Sequence, residues 1–209
     1  MEEDIKSKIL KGAEELFLRY GLRSITMDEI SRHLGMSKKT LYQYFSDKDD
    51  IVWSVTRQHL LRQQAQFDAV ATESKNSVEE LVKLSFCVKE NLKGMNPSLL
   101  FDLQKYHQKA WNEWLNYKRN VIRESVVRNL NLGIEEGYVR PEINPEILAV
   151  IRLETIQMGF DDQLFPRDKF NLTEVQLHIL EHFIYGLLTD KGRKLYQKYK
   201  ETITEPLFN

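Results

Sequence analysis

The sequence predicts an all-α fold, made of an N-terminal three-helix unit and a larger C-terminal helical bundle. Apolar residues recur at steps of three and four along most of the 209-residue chain, which is the period of amphipathic helices. Only 9 glycines and 5 prolines interrupt these segments, and no stretch alternates in the manner of a strand. Hydrophobic residues form 42% of the chain and charged residues 29%, so we expect a sizeable core under a charged surface.

The first two helices are marked by their periodicity and by their ends. The first helix runs up to Gly21, and its apolar face consists of Ile5, Ile9, Ala13, Leu16, Phe17 and Tyr20. The second helix begins at Thr26, because Thr26 and Glu29 have the spacing of a capping box. Ile25 and Ile30 have the spacing of a hydrophobic staple, so two independent signals predict the same helix start.

A third helix follows a tight turn at Gly35, with Ser37 as its cap and only Leu41 and Phe45 facing inward. Its outward-facing residues are Lys38, Lys39, Thr40, Tyr42, Gln43 and Tyr44, and no acidic residue occurs from Gly35 to Ser46. Lysines neutralise phosphates, hydroxyl groups bond to phosphate oxygens, and glutamine can pair with adenine in the major groove. This is the surface that the second helix of a helix-turn-helix presents to double-stranded DNA.

The roles expected of these side chains differ. Thr26, Lys38, Tyr42, Tyr44 and Lys48 are predicted to hold phosphates, while Lys39, Thr40 and Gln43 are predicted to face bases. The net charge of the whole chain is only −1, which by itself does not favour nucleic acid. Charges more than about 10 Å from the contact face are largely screened, so affinity must come from a few well-placed contacts.

Residues 13–53, about a fifth of the chain, resemble the DNA-binding domain of TetR-type transcriptional regulators. The matching residues are Ala13, Leu16, Phe17, Tyr20, Gly21, Thr26, Ile30, Leu34, Gly35, Ser37, Lys39, Thr40, Leu41, Tyr42, Phe45, Lys48 and Ile51. Lys39 departs from the family, which often has a small residue there. The resemblance implies a helix-turn-helix DNA-binding domain over residues 1–48 and an effector-binding and dimerisation domain over residues 49–209. It also implies a repressor that a small molecule releases from a palindromic operator.

The rest of the chain reads as further helices. One is predicted from Ser46 or Asp47 to about Ala71, and the next from Ser77, which forms a capping box with Glu80, to Gly94. A longer helix is predicted from Asn96–Pro97 to Gly137, with a bend near Lys109–Asn112, and another from Asn144–Pro145 to Phe165. The last long helix begins near Thr173 and is followed by a short basic helix. The helix after Pro145 and the last long helix are strongly apolar, and the resemblance implies that they form a four-helix homodimer interface. The predicted interface residues are Ile147, Ile151, Leu180, Phe183, Ile184 and Leu187.

Aromatic residues are concentrated in the middle helices, where His107, Trp111 and Trp114 have the spacing of one helix face. Either a bulky core or a cavity lined by apolar rings and a few polar groups would have this composition. The residues predicted to bind the unknown effector are Phe86, Phe101, Tyr106, His107, Trp111, Trp114 and Met158. Nothing in their spacing identifies the effector.

Two alternative functions remain open from the residues. His178, Glu181 and His182 match the H-x-x-E-H pattern of zinc peptidases, which would make the protein a helical metal-dependent hydrolase, although no third ligand is evident. The other alternative is a dimeric small-molecule-binding protein without DNA activity. No phosphate-binding loop, dinucleotide fingerprint or G-x-S-x-G motif occurs, so we expect no enzyme activity, no metal and no cofactor.

The expected location is the cytoplasm. The single cysteine, Cys87, excludes an intramolecular disulfide and indicates a reducing compartment, and its apolar helix face predicts an inert buried thiol. The N-terminal residues MEEDIKSK lack the apolar core of a signal peptide. No apolar run approaches the roughly 20 residues of a membrane span, so no membrane partner is expected.

Overall fold

The computed structural model describes residues 2–203, and this part of the chain consists of helices without any β-strand, so the all-α class is confirmed. The elements are α1 (Glu2–Tyr20), α2 (Met27–His33), α3 (Lys38–Tyr44), α4 (Lys48–Glu73), α5 (Ser77–Leu92), α6 (Leu99–Tyr106), α7 (Gln108–Asn116), a π-helical segment (Tyr117–Ile122), α8 (Arg123–Glu135), α9 (Pro145–Met158), α10 (Leu172–Leu187) and α11 (Asp190–Thr202). Within residues 2–203 none of these helices combines the length and apolar character needed to cross a bilayer.

Packing divides the described chain into two compact units. The first contains residues 2–62 together with Gly94–Asn116, and the second contains Gln63–Lys93 together with residues 117–203. The division therefore falls within α4, and the first unit includes α6 and α7 as well as the three N-terminal helices. The functional division between residues 1–48 and 49–209 stays a prediction.

The core of the first unit joins α6 and α7 to the N-terminal helices. Its buried residues include Ile9, Ala13, Phe17, Ile30, Leu41, Phe45, Ile51, Val52 and Ala110, and Leu99 and Leu103 of α6 pack against them. The backbone NH of Asn96 donates to the carbonyl of Leu18 at 2.6 Å. This contact lies beside Gly21, whose φ of +80° is a left-handed conformation that favours glycine.

The second unit is a helical bundle in which α5 contacts α8, α10 and α11, and α9 contacts α8, α10 and the π-helical segment. Its core residues are Val78, Leu81, Val82, Leu130, Val139, Leu180, Ile184, Leu187, Leu188 and Tyr196. Arg140 of the loop before α9 donates its backbone NH to Leu187, which joins that loop to the end of α10.

Four of the predicted helix boundaries are wrong. The helix after Pro145 ends at Met158 and not at Phe165, and α6 begins at Leu99 and not at Asn96–Pro97. The cap of α5 and the break after α6 also differ.

The start of α5 is capped by Asn76, whose Oδ1 accepts from the backbone NH of Glu79 at 2.9 Å. The predicted cap, Ser77, instead donates through its NH and hydroxyl groups to Glu136 at 2.9 and 2.6 Å. Because Glu136 is far away in sequence, local spacing alone could not separate the two adjacent cap candidates.

The long helix predicted up to Gly137 is broken at His107 and not near Lys109–Asn112. His107 has φ −130° and ψ 65°, outside the helical region, and separates α6 from α7. Its buried ring lies with Nδ1 2.7 Å from Oδ1 of Asp49 at the start of α4. A buried imidazole needs a hydrogen-bond partner, and here the carboxylate of Asp49 supplies it. This contact favours the break in the helix at His107.

Candidate nucleic-acid interface

The segment from α2 to α3 is a helix-turn-helix whose ends are fixed by local hydrogen bonds. Thr26 caps α2, accepting from the NH of Glu29 at 3.2 Å while the Glu29 carboxylate accepts from the Thr26 NH at 2.6 Å. The predicted capping box is confirmed. At the turn, Gly35 has φ +64° and open space around it, so backbone conformation alone favours glycine there.

Recognition helix α3 is held to the core by one face only. Ser37 caps it, accepting from the NH of Thr40 at 3.0 Å. Leu41 is 0% exposed and Phe45 is 2% exposed, as the sequence predicts for the inward face. The opposite face is therefore presented outward in a fixed register, as reading base edges in a groove requires.

The predicted DNA contacts fall into two groups. Lys39, Tyr42 and Gln43 are exposed, and within residues 2–203 their side chains have no hydrogen-bond or ionic partner. Tyr42 is 52% exposed, so its ring and hydroxyl group are open to a partner. These three side chains are available for DNA without breaking an existing contact.

The other predicted contacts on α2 and α3 are already engaged. Lys38 forms an ion pair with Asp28. The hydroxyl groups of Thr26 and Thr40 are hydrogen-bonded to Glu29 and Ser37, each at 2.9 Å. Half-buried Tyr44 packs against the apolar core. Binding a phosphate through these groups requires sharing or exchanging the present partner.

Lys48 occupies the start of α4, where its ammonium group donates to the carbonyl oxygen of Leu22. Its partner is therefore a backbone carbonyl and not a carboxylate. Partial burial lowers the pKa of Lys48, and the neighbouring acids Asp49, Asp102 and Glu29 oppose that effect. The hydrogen bond holds the charge at a fixed place beside the helix-turn-helix, which suits a phosphate contact.

Comparison with known proteins agrees with this geometry. Residues 9–55 match the domain described as "Bacterial regulatory proteins, tetR family". Over 171 residues the chain is 29% identical to the uncharacterized HTH-type transcriptional regulator YvaF of Bacillus subtilis, covering 80% of this chain and 88% of that protein. Residues 9–55 are thus similar to the DNA-binding domain of TetR-family regulators.

Further relatives support the same assignment. The HTH-type transcriptional repressor KstR2 of Mycobacterium tuberculosis is 24% identical over 146 residues, covering 68% of this chain and 73% of that protein. A TetR-family transcriptional regulator from Agrobacterium tumefaciens shares the fold with a TM-score of 0.76 at 15% identity, covering 90% of this chain and all of that chain (100%). The protein is thus a DNA-binding transcriptional regulator, and these relatives are named as transcriptional regulators.

The residues predicted to bind the effector are divided between the two units. Five of them belong to the first unit, whereas Phe86 and Met158 belong to the second. Phe101 is 55% exposed and Tyr106 is 41% exposed, and the ammonium group of Lys105 lies 5.3 and 5.4 Å from their ring centroids. Effector binding by this set stays a prediction.

The aromatic and histidine residues near α7 join that helix to α4. Besides the contact between His107 and Asp49, the indole NH of Trp53 donates to Glu113 at 3.1 Å. The ammonium group of Lys109 lies 3.5 Å from the centroid of the Trp53 ring. These contacts hold the start of α4, the helix that follows α3 in the first unit. The aromatic pattern in the sequence did not predict this role for His107, Lys109 and Glu113.

The predicted dimer residues separate into exposed and buried sets. Ile147 and Ile151 of α9 are 57% and 46% exposed, and Val150 beside them is 51% exposed. Leu180, Ile184 and Leu187 are at most 7% exposed because they fill the core of their own unit. For these three residues the prediction needs correction, since a buried side chain has no surface left to cover; Phe183 is half-buried.

The H-x-x-E-H motif lies on the surface of α10. Glu181 is paired with Lys200 of α11, and the side chain of His178 is 75% exposed with its Nε2 3.9 Å from Glu174. Among residues 2–203 no group of three or more potential ligands is close enough to hold a metal. The residue that would act as a general base in a hydrolase is thus engaged in an ion pair.

Proposed function

We propose that this regulator represses transcription as a cytoplasmic homodimer on a palindromic operator and is released by a small-molecule effector bound by its helical second unit. The observation that carries the DNA-binding part is α3, which is anchored by Leu41 and Phe45 and exposes Lys39, Tyr42 and Gln43. A relative named as a repressor supports the direction of regulation.

Two copies are needed because one short helix reads too few bases. Two recognition helices about 34 Å apart can read successive major grooves of a palindrome. The apolar strip of α9, formed by Ile147, Val150 and Ile151, supplies a surface that gains from being covered by a second copy. An effector that prefers one arrangement of the bundle would then change the separation of the recognition helices by a population shift.

Binding to the DNA upstream of the protein's own reading frame tests the proposal directly. We expect Lys48→Ala to weaken all sequences alike and to reduce the slope of log K against log salt by about 0.9 per protomer. We expect Gln43→Ala to relax preference at one or two base pairs by about 1–3 kcal/mol each. Lys194→Ala and Gln58→Ala, which change exposed residues outside the helix-turn-helix segment, serve as controls.

The outcome separates the proposal from its alternatives. If Lys48→Ala and Gln43→Ala leave binding to this DNA unchanged, the assignment of α3 is wrong. If the unaltered protein binds no DNA but binds small molecules as a dimer, the DNA-free alternative replaces the proposal. Stoichiometric zinc in protein purified without an affinity tag would favour the hydrolase.

The dimer surface has its own test. We expect Val150→Glu and Ile151→Glu to produce monomers in light scattering after size-exclusion chromatography and to weaken binding to the palindrome. Leu164→Glu is the matched control, because Leu164 is also an exposed apolar residue (56%) of the second unit. Dimers in all three variants would show that the strip of α9 is not the interface.

A further inference from the structure

Arg152 is a buried cation for which the described chain supplies no counter-ion. The residue lies on the inward side of α9, is 6% exposed and is flanked by buried Ala149 and Leu153. Its guanidinium carbon lies 6.0 Å from the centroid of the Phe183 ring of α10. Within residues 2–203 its Nη1 atom is buried and has no hydrogen-bond partner.

The carboxylates nearest along the chain are already paired with other side chains. On α9 and α10 the pairs are Glu146 with Arg123, Glu154 with Lys118 at 3.0 Å, Glu174 with His178 at 3.9 Å, and Glu181 with Lys200. Two other arginines have one buried unbonded nitrogen, but each has an acid: Arg140 pairs with Glu142 and Arg167 pairs with Asp162. Arg152 differs from both because, within residues 2–203, its guanidinium has the ring of Phe183 near it but no acidic partner.

This arrangement is costly in the free chain. Burial lowers the pKa of Arg152 to about 10, so the guanidinium is still protonated at neutral pH. A buried charge is normally paired and hydrogen-bonded, because removing it from water carries a large desolvation penalty. A buried guanidinium of this kind is stabilised by an anion that brings its own hydrogen-bond acceptors.

We propose that Arg152 binds the carboxylate of a small acid with an apolar body, and that this acid is the effector. This inference rests on the proposed function for the effector's role in release. The planar fork of arginine matches a carboxylate with two parallel hydrogen bonds. The ring of Phe183 offers an apolar surface beside the charge. Lys118 of the π-helical segment, which also contacts α9, is already bound to Glu154 and Gln157. Arg152 therefore offers one unpaired positive charge, which favours a monoanion over a phosphate.

The test measures the melting temperature of the full-length protein at pH 7.5 with a defined panel. The panel contains straight-chain carboxylates of 6 to 12 carbons, benzoate and 2-naphthoate, each beside its methyl ester. We expect at least one acid to raise Tm by about 5–10 °C at 100 times its Kd, with its ester giving much less. In Arg152→Met we expect affinity for that acid to fall at least 10-fold, because hydrogen bonds to a charged group typically contribute this much to binding.

Variants distinguish this role from a structural one. Without ligand, we expect Arg152→Met to melt at the same temperature as the unaltered protein or about 2–4 °C higher, since an apolar residue of similar size replaces an unpaired charge. Arg152→Lys should retain part of the preference for acid over ester. Arg119→Met removes an exposed arginine of the π-helical segment and should change neither measurement.

Several results would overturn the inference. These are stabilisation by no acid of the panel, equal stabilisation of the unaltered and Arg152→Met proteins, or a fall of more than about 5 °C in the Tm of ligand-free Arg152→Met. Dissociation of the Arg152→Met dimer would also overturn it, because the counter-ion would then come from a second copy.

DNA binding measured in the same samples separates this inference from the proposed function. If an acid binds through Arg152 without weakening DNA binding, the anion site is supported, but the proposal that this ligand releases the protein from DNA is refuted. If neutral compounds release DNA from both the unaltered and Arg152→Met proteins, release stands and the role of Arg152 fails.

Discussion

Neutralising Asp28 is expected to tighten DNA binding. Asp28 lies in the first turn of α2 and forms an ion pair with Lys38, and both side chains are about half exposed, at 50% and 55%. If Lys38 reaches a phosphate, the carboxylate of Asp28 becomes an unfavourable neighbour of that phosphate. The change Asp28→Asn removes the negative charge while preserving the shape of the side chain.

The magnitude follows from Coulomb's law. An ammonium group bonded to both anions places the carboxylate and the phosphate about 6 Å apart, with each contact near 2.8 Å. Two unit charges at that distance repel by about 0.7 kcal/mol in water, and salt at about 0.15 M roughly halves this value. With one such contact in each half of a dimer, Asp28→Asn should raise affinity about threefold at 0.15 M salt and about sevenfold at 0.01 M.

Fluorescence anisotropy with labelled operator DNA at several salt concentrations measures this effect. The matched control is Asp190→Asn, which also neutralises an exposed aspartate in the first turn of a helix, where Asp190 pairs with Arg193 at 3.8 Å. Both variants should lose at most about 1 kcal/mol of stability. Unchanged or weaker DNA binding by folded Asp28→Asn would refute the placement of Lys38 beside a phosphate.

Three further predictions concern the fold. Burial would raise the pKa of Glu14, but the hydrogen bond to His59 and the charge of Arg62 outweigh it, so the pKa is lowered. Glu14 therefore stabilises the folded state fully above its unfolded pKa of about 4.3, and this stabilisation is lost as pH falls through the folded pKa. Glu14→Gln should lower the free energy of unfolding in urea by about 1 kcal/mol at pH 7 but by little at pH 3. Equal losses of stability at both pH values would contradict the reasoning. Thr26→Ala should cost about 1 kcal/mol and lower Tm by about 2–4 °C, and no shift would mean that the capping box contributes little. Burial raises the pKa of Cys87 to about 11, so a thiol reagent at pH 8 should react with it far faster in urea than in the folded protein, and equal rates would argue against burial.

Signals carried by neighbouring residues predicted the helix-turn-helix well. The capping box of Thr26, the left-handed turn at Gly35 and the spacing of Leu41 and Phe45 each depend on contacts within a few residues. Such contacts are set by short-range geometry, so the same pattern has nearly the same meaning in any fold.

The features that the sequence did not predict depend on contacts between residues that are distant in the chain. The break at His107 depends on Asp49, and the choice between Asn76 and Ser77 as a cap depends on Glu136, so neither is visible in local spacing. An apolar stripe does not reveal what covers it, and Leu180 proved to belong to its own core. Arg152 was missed because the burial of a single arginine is not encoded in any short pattern.

The two-segment construction of the first unit bears on how regulators of this kind can be recombined. Because Leu99, Leu103 and Ala110 contribute to the same core as the N-terminal helices, a graft of residues 1–48 alone onto another protein would bring only part of that core. A chimera that changes operator choice should therefore exchange the residues on α3 and retain the native α6 and α7. Gene fusion at residue 48 would instead leave uncovered apolar surface on the transplanted piece, which favours aggregation.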